Sequence, residues 1–268
     1  MHHMPATETG DSADLLWLGY APLLLIAALG YLGAVRSIVR RGDRWPVWRT
    51  MSWCAGLLTA ATALTGAGHG DFTAHMTRHL LLGMAAPLLL VLAAPITLSL
   101  RALPVAQARR LSRLLKTRPL RILTHPVTAA VLDAGGLWIL YTTGIYPRMG
   151  EHTWLHVLVT VHTVAAGYLF TTAIVGVDPA PHRPGPRSRA VVLIAFVAAH
   201  DILAKHLYAH PPAGVEAAQA EAGAQLMYYG GDLLDLLLIT IFCWQWYTAA
   251  APESPRAPRR AWRLPADI

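Results

Sequence analysis

The amino-acid sequence predicts an all-α membrane protein, a bundle of seven transmembrane helices with the N-terminus outside and the C-terminus in the cytoplasm. Three observations lead to this fold class. Of the 268 residues, 54% are hydrophobic and only 14% are charged, whereas a soluble domain carries about 25% charged residues. Apolar runs of about 20 residues, the length needed to cross a bilayer core, recur along the chain. The basic residues are concentrated in a few short segments.

Seven apolar segments are long enough to be membrane spans. They cover residues 15–38, 47–67, 77–100, 127–147, 152–176, 188–209 and 225–249. The third span contains Pro87 and Pro95, which predict kinks because proline interrupts the hydrogen bonding of a helix. The stretch 104–121 is too basic to cross the membrane, so we predict that it lies on the membrane surface.

The spans form one membrane domain, residues 15–250, between an extracytoplasmic tail (1–14) and a flexible basic cytoplasmic tail (251–268). Nineteen of the 22 Lys and Arg residues fall in four segments: Arg36–Arg49, Arg101–Arg121, Arg183–Arg189 and Arg256–Arg263. Seven spans put all four on one face, which the positive-inside rule makes cytoplasmic. The formal net charge of +7 therefore reflects topology, and we expect no binding to nucleic acid.

Most of the 13 histidines lie toward the outer face in this topology. Ten are placed outside or in the outer half of a span: His2, His3, His69, His75, His79, His152, His156, His200, His206 and His210. Three pairs share a helix face through i, i+4 spacing: His75 with His79, His152 with His156, and His206 with His210. Two imidazoles so spaced can reach one metal ion, and three helices that each offer such a pair predict a shared polar mouth at the outer membrane surface.

A second, deeper layer of polar residues is also predicted. His162 and His200 each lie ten residues inside an outer helix end, about 15 Å down, so antiparallel helices could bring them to one level. The seventh span carries a polar stripe made of Gln225, Tyr228, Asp232 and Asp235. The stripe should face the bundle interior, because carboxylates that face lipid are costly. The partner of Asp232 is then either a metal ion or Lys205.

The donor types favour copper. Imidazole suits copper, zinc and iron alike, but thioethers select Cu(I), and Met76, Met84 and Met227 lie on or near the same helices. The sequence contains neither HExxH nor GxSxG, which argues against a zinc protease and a serine hydrolase. A haem held by two histidines between the fifth and sixth spans remains open. The buried acids also fit a proton path.

Five passages carry a resemblance to a known family. They are HMTRHLLLGMAAPLLLVLAAPITL (75–98), HPVTAAVLDAGGLWILYTTGIY (125–146), VHTVAAGYLFTTAIVGVDPAP (161–181), AHDILAKHLYA (199–209) and QLMYYGGDLLDLLL (225–238). The chain resembles the caa3-type cytochrome c oxidase assembly factors, the CtaG proteins of Gram-positive bacteria. The resemblance covers most of the chain from the third span onward.

The resemblance implies a function. Proteins of this family are multi-span plasma-membrane proteins needed to build cytochrome c oxidase, and they are thought to help copper reach it. It therefore implies an assembly factor without enzymatic activity, with copper as its cargo and oxidase subunits as its partners. By residue, it points to His75, His79, His162, His200, Met227, Tyr228, Tyr229 and Asp232.

The residue patterns and the resemblance together predict an outward-facing metal site between the third, fifth, sixth and seventh spans. The residues assigned to it are His75, His79, His156, His162, His200, His206, Met227 and Asp232. Two alternatives from other classes stay open. One is a haem-binding membrane redox protein, and the other is a copper or proton transporter.

Overall fold

The computed structural model describes residues 8–65 and 71–250. Over these residues every regular element is a helix, so the prediction of an all-α chain is confirmed there. The first helix already begins at Glu8, inside the predicted N-terminal tail. The predictions that concern residues 1–7, His69 and the basic tail 251–268 fall outside the described residues.

Twelve α-helices follow one another in the described part of the chain. Their bounds are α1 (Glu8–Arg40), α2 (Val47–Thr65), α3 (Phe72–His79), α4 (Ala86–Leu92), α5 (Pro95–Ala102), α6 (Val105–Leu115), α7 (Arg118–Leu123), α8 (Pro126–Thr142), α9 (Ile145–Glu151), α10 (Thr153–Val175), α11 (Pro186–Ala209) and α12 (Ala217–Ala250). A π-helical turn, Leu80–Ala85, joins α3 to α4.

Several of these elements are membrane-spanning by length and composition. Among the described residues, five stretches qualify: Gly19–Arg40, Phe72–Ala102, Thr153–Val175, Pro186–Ala209 and Ala217–Ala250. Each overlaps one of the predicted spans, which supports a multi-pass membrane protein. Helices α2 and α8, with 19 and 17 residues, overlap the remaining two predicted spans.

The third predicted span is a broken helix. Ala94 adopts a left-handed conformation with φ 52°, and Pro95 begins α5 directly after it. The kink predicted at Pro95 is thus present as a complete break. Asp178, in the loop before α11, accepts hydrogen bonds from the backbone N–H groups of Ile96 (3.1 Å) and Thr97 (2.7 Å). This carboxylate therefore pairs with backbone N–H groups at the start of α5 that have no acceptor within the helix.

The π-helical turn between α3 and α4 packs closely against α10. A Cβ atom on Gly167 of α10 would collide with the carbonyl oxygen of Gly83 in the turn. The two backbones are therefore in direct contact, which only glycine at position 167 permits. Single π turns inside α-helices often occur at functional sites, and this one begins immediately after His79.

The interior of the bundle contains two large apolar clusters. The first includes Phe72, Met76, Tyr141, Leu203, Leu207 and Met227. The second includes Leu88, Phe170, Ile174, Leu193, Phe196 and Phe242. Three buried polar residues separate the two clusters along the chain: His79 at the end of α3, His200 in α11 and Asp235 in α12. The candidate site is this polar layer.

Candidate metal site

A pair of buried histidines occupies the polar layer. His79, the last residue of α3, is 6% exposed, and His200, in α11, is 1% exposed. Their ring centroids are 5.9 Å apart and their planes differ by 28°. The four ring nitrogens of the pair have no hydrogen-bond partner among the described residues. Because buried polar atoms in proteins nearly always have a partner, the pair is the strongest candidate for a ligand site.

Gly231 leaves room for the His200 ring. A Cβ atom at Gly231 of α12 would lie 2.5 Å from Cε1 of His200, whereas one at Gly83 would lie 3.4 Å from Nδ1 of His79, an ordinary contact distance. Any side chain at position 231 would therefore displace the His200 ring. The sequence thus supplies both the imidazole of His200 and the small residue that keeps its position open.

The separation of the rings fits a shared metal ion. With metal–nitrogen bonds of about 2.0 Å, two imidazoles on one ion have ring centroids no more than roughly 6.4 Å apart. The observed 5.9 Å lies within that limit. Within residues 8–65 and 71–250, no group of three His, Cys, Asp or Glu side chains converges as an ion would require. The pair therefore offers two imidazole rings to a ligand, one from each helix.

A small cavity borders the pair on the side of His75. The cavity has a volume of about 30 Å³, and its walls include His75, Arg78, His79 and His156. This volume is enough for one water molecule or ion. Nε2 of His75 lies 3.0 Å from the hydroxyl oxygen of Tyr141, so these two groups share a hydrogen bond. We call this cavity the vestibule.

A second small cavity lies on the other side, between α4, α8, α10 and α12. It has a volume of about 20 Å³, and Met84, Asp133, Thr171 and Asp235 are among its lining residues. The two aspartates are 5% and 2% exposed. In the described part of the chain, neither carboxylate oxygen of Asp235 has a hydrogen-bond partner. We call this cavity the carboxylate cavity.

Comparison with known sequences identifies the family. A family model described as cytochrome c oxidase caa3 assembly factor matches residues 29–249. The chain belongs to this family. The resemblance seen in the sequence is thereby confirmed.

The chain also resembles curated mycobacterial proteins. Uncharacterized proteins of Mycobacterium bovis and Mycobacterium tuberculosis are each 36% identical to it over 187 residues, which is 66% of this chain. An uncharacterized protein of Mycobacterium leprae is 32% identical over 187 residues. The matched region is 28% of the length of each of these relatives. No solved structure matches the chain.

The fold brings four of the eight predicted metal-site residues into one region. His79 and His200 form the buried pair, and His75 and His156 line the vestibule beside His79. These residues come from α3, α10 and α11. The i, i+4 spacing of His75 and His79 therefore places one imidazole in the vestibule and the other in the pair.

Two further predicted histidines lie elsewhere. His162 is exposed on α10, and its Nε2 is 3.0 Å from the carbonyl oxygen of Leu132 on α8. His206 packs between the rings of Trp138 and His210, at centroid distances of 5.9 and 4.7 Å. The contacts of His162 and those of His200 involve different neighbours, so the structure does not bring these two histidines together around one cavity.

The remaining two predicted residues, Met227 and Asp232, are both on α12. Met227 is fully buried in the first apolar cluster. Asp232 is half-buried, and no ion pair joins it to Lys205 within the part of the chain described. The Lys205 ammonium instead lies 5.0 Å from the ring centroid of Tyr228.

The sequence pattern assigns neither Asp133 nor Asp235 to the site. The predicted inward-facing stripe of the seventh span is only partly correct, because Gln225 is exposed, Tyr228 and Asp232 are half-buried, and Asp235 alone is buried. The register of the buried residues along α12 distinguishes the two aspartates. Buried residues of α12 recur at Met227, Gly231, Asp235 and Leu238, and Asp235 is one helical turn beyond Gly231, the glycine that faces His200.

Proposed function

We propose that this protein binds copper between His79 and His200 and helps deliver it to cytochrome c oxidase during assembly, with no catalytic turnover of its own. One observation carries the proposal. The four nitrogens of this buried pair meet no hydrogen-bond partner in residues 8–65 and 71–250, and the ring separation fits a shared ion. The family description, a cytochrome c oxidase assembly factor, supplies the pathway.

The surrounding donors favour copper over other metals. Imidazole binds copper, zinc and iron, whereas thioether sulfur selects Cu(I). Met76 precedes His79 by about one helical turn, is fully buried, and its sulfur accepts a hydrogen bond from the Tyr141 hydroxyl at 3.7 Å. Met84 lines the carboxylate cavity. Soft sulfur within a few residues of His79 suits Cu(I) better than a hard, oxygen-preferring ion.

The small number of donors suits a carrier. A site with two nitrogen donors leaves coordination positions open, so a donor from a partner can bind before the first bond breaks. The vestibule offers the next donors, because His75 and His156 line it beside His79. We infer that copper passes between the buried pair and the partner through this vestibule.

The proposed orientation gives the vestibule access to the outer side of the plasma membrane. We propose that α2 and α8 also cross the bilayer, which makes seven spans in all. The four basic segments then share the cytoplasmic face. The basic helices α6 and α7, which lie wholly within the described residues, contain no buried residue. This is expected of helices on a membrane surface. His75 then lies toward the outside, where an oxidase subunit could receive copper.

Elemental analysis of the purified protein, combined with an optical spectrum, tests this function. The wild-type protein should carry stoichiometric copper, and His79→Ala or His200→Ala should lose most of it because each removes half of the nitrogen donors. His162→Ala is the matched control, since it removes an exposed imidazole that lies outside the pair. In cells, added copper should partly restore oxidase activity to the two pair variants by mass action.

Two results would contradict the proposal. One is a wild-type protein that contains iron and shows the Soret band of haem, which would favour the redox alternative. The other is wild-type copper content in the folded His79→Ala and His200→Ala variants, which would show that the pair does not bind the ion.

A further inference from the structure

The carboxylate cavity is a second polar site that copper binding at the histidine pair does not use. Asp133 reaches it from α8, Asp235 from α12, and Thr171 from α10. A cavity of about 20 Å³ holds one species the size of a water molecule. Asp235 is 2% exposed, and both of its oxygens lack a hydrogen-bond partner among the residues described. The side chain therefore faces a site that needs a small, positively charged or hydrogen-donating occupant.

The charges around Asp235 are mostly negative. Asp133 of α8, Asp201 of α11 and Asp232 of α12 all lie within electrostatic range of it, together with His200 of α11. Neither a hydrogen bond nor an ion pair joins Asp235 to His200 in the described structure, whereas Nδ1 of His200 lies 3.8 Å from Oδ1 of Asp201. Asp201 is partly exposed, so solvent screens its charge more than that of Asp235. Two carboxylates that share a buried cavity do not both stay ionised without a cation, and at membrane depth the cost is greater still.

We propose that Asp133 and Asp235 hold one proton between them while the histidine pair is free of copper, and that they release it to solvent when Cu(I) binds His79 and His200. The inference rests on the proposed function and adds the ion that is exchanged for copper. One positive charge enters the interior and one proton leaves. No electron changes hands, and the copper stays Cu(I).

The need to compensate a buried charge is the physical reason for this exchange. A cation placed between two neutral imidazoles adds a net charge to a low-dielectric interior, which is costly unless it is compensated. Asp235 lies one helical turn beyond Gly231, the residue against which the His200 ring packs, so copper at His200 favours the ionised carboxylate there. Loss of the proton then leaves the total buried charge unchanged. Copper delivery reverses both steps, so the empty site regains its proton.

Proton release on copper binding tests the inference directly. Cuprous ion, supplied as its acetonitrile complex under an oxygen-free atmosphere, is added to the full-length protein in weakly buffered detergent at pH 8. Free imidazole, with a pKa of about 6.5, adds little buffering at that pH. A pH-sensitive dye should report about one proton released per copper ion bound. Asp235→Asn should release fewer than half as many protons while still binding copper.

The control is Asp43→Asn, the same chemical change at an exposed residue that pairs with Arg101 at 3.7 Å, and its proton release should equal that of the wild type. Infrared difference spectra give a readout that does not depend on a variant folding. The carbonyl stretch of a protonated carboxyl group should be present in the copper-free wild type and disappear when copper binds. Asp133→Asn should weaken the same band.

The possible failures can be told apart because copper content is measured in the same samples. A wild-type protein that binds no copper overturns the proposed function, and the exchange with it. A wild-type protein that binds copper without releasing a proton overturns only this inference. Undiminished proton release in Asp235→Asn, or a carboxyl band that copper does not change, also overturns it.

Discussion

Replacing Gly231 with alanine should abolish tight copper binding without removing any metal ligand. The new Cβ atom would lie 2.5 Å from Cε1 of His200, whereas carbon atoms in good contact are about 3.5 Å apart. The His200 ring must therefore move by roughly 1 Å, because the other atom is fixed to the backbone of α12. Metal–ligand distances tolerate deviations of only about 0.2 Å, so the displaced ring no longer fits the ion.

The expected size of the effect follows from this displacement. We expect copper affinity to fall at least tenfold, about 1.4 kcal/mol, since one of two donors is out of position. Overpacking of a buried position costs about 1–3 kcal/mol of stability. Replacing glycine by alanine inside a helix stabilises the helix by up to about 1 kcal/mol. This gain offsets part of the overpacking cost, so the protein should remain folded.

The neighbouring glycine provides a matched control. A Cβ atom at Gly230 would lie 2.6 Å from Cδ1 of Leu80, the end of a flexible side chain that can rotate away. Gly230→Ala should therefore keep its copper. Both variants are purified, dialysed against a competing copper chelator and analysed for copper per protein, with thermal unfolding in detergent measured in parallel. Equal copper retention by a folded Gly231→Ala protein would refute the reasoning that His200 binds the ion.

Two further predictions test the topology and the broken helix. In a protein whose exposed Cys54 and Cys243 are replaced by serine, a membrane-impermeant thiol reagent should label a cysteine at position 216 in intact cells. A cysteine at position 112 should react only after the cells are opened, and labelling of that position from outside would reverse the orientation. Asp178→Ala removes the carboxylate that holds the start of α5 and should lower the unfolding free energy by roughly 2–4 kcal/mol. An unchanged thermal midpoint would show that this carboxylate does not stabilise the break.

The sequence predicts the helices better than their internal geometry. Hydropathy locates the spans because an apolar run is a direct physical requirement of the bilayer. It begins the last span at residue 225, whereas α12 begins at Ala217, since the segment AAQAEAGA is polar enough to escape a hydropathy criterion but favours a helix. The π-helical turn after His79 has no local signature, because it depends on the contact between Gly83 and Gly167 of a distant helix.

In the candidate site, the sequence predicts how deep each side chain lies in the membrane but not the direction in which it points. Counting residues along a helix gives the level of a side chain in the membrane, and this count predicts that His162 and His200 lie at one level. The direction in which a side chain faces depends on how each helix is rotated against its neighbours, which the count does not contain. Helix α10 turns His162 toward Leu132 of α8, while α11 turns His200 toward His79.

The order of donors from the vestibule inward suggests how copper could be retained and then released. Nε2 of His75 shares a hydrogen bond with Tyr141, so copper there either breaks that bond or binds through Nδ1 alone. The nitrogens of His79 and His200 have no such partner in the described structure, so an ion gains more at the buried pair. Copper should therefore rest at the pair and leave only when a partner supplies competing donors at the vestibule. A carrier with this gradient keeps its cargo until it meets the protein that receives it.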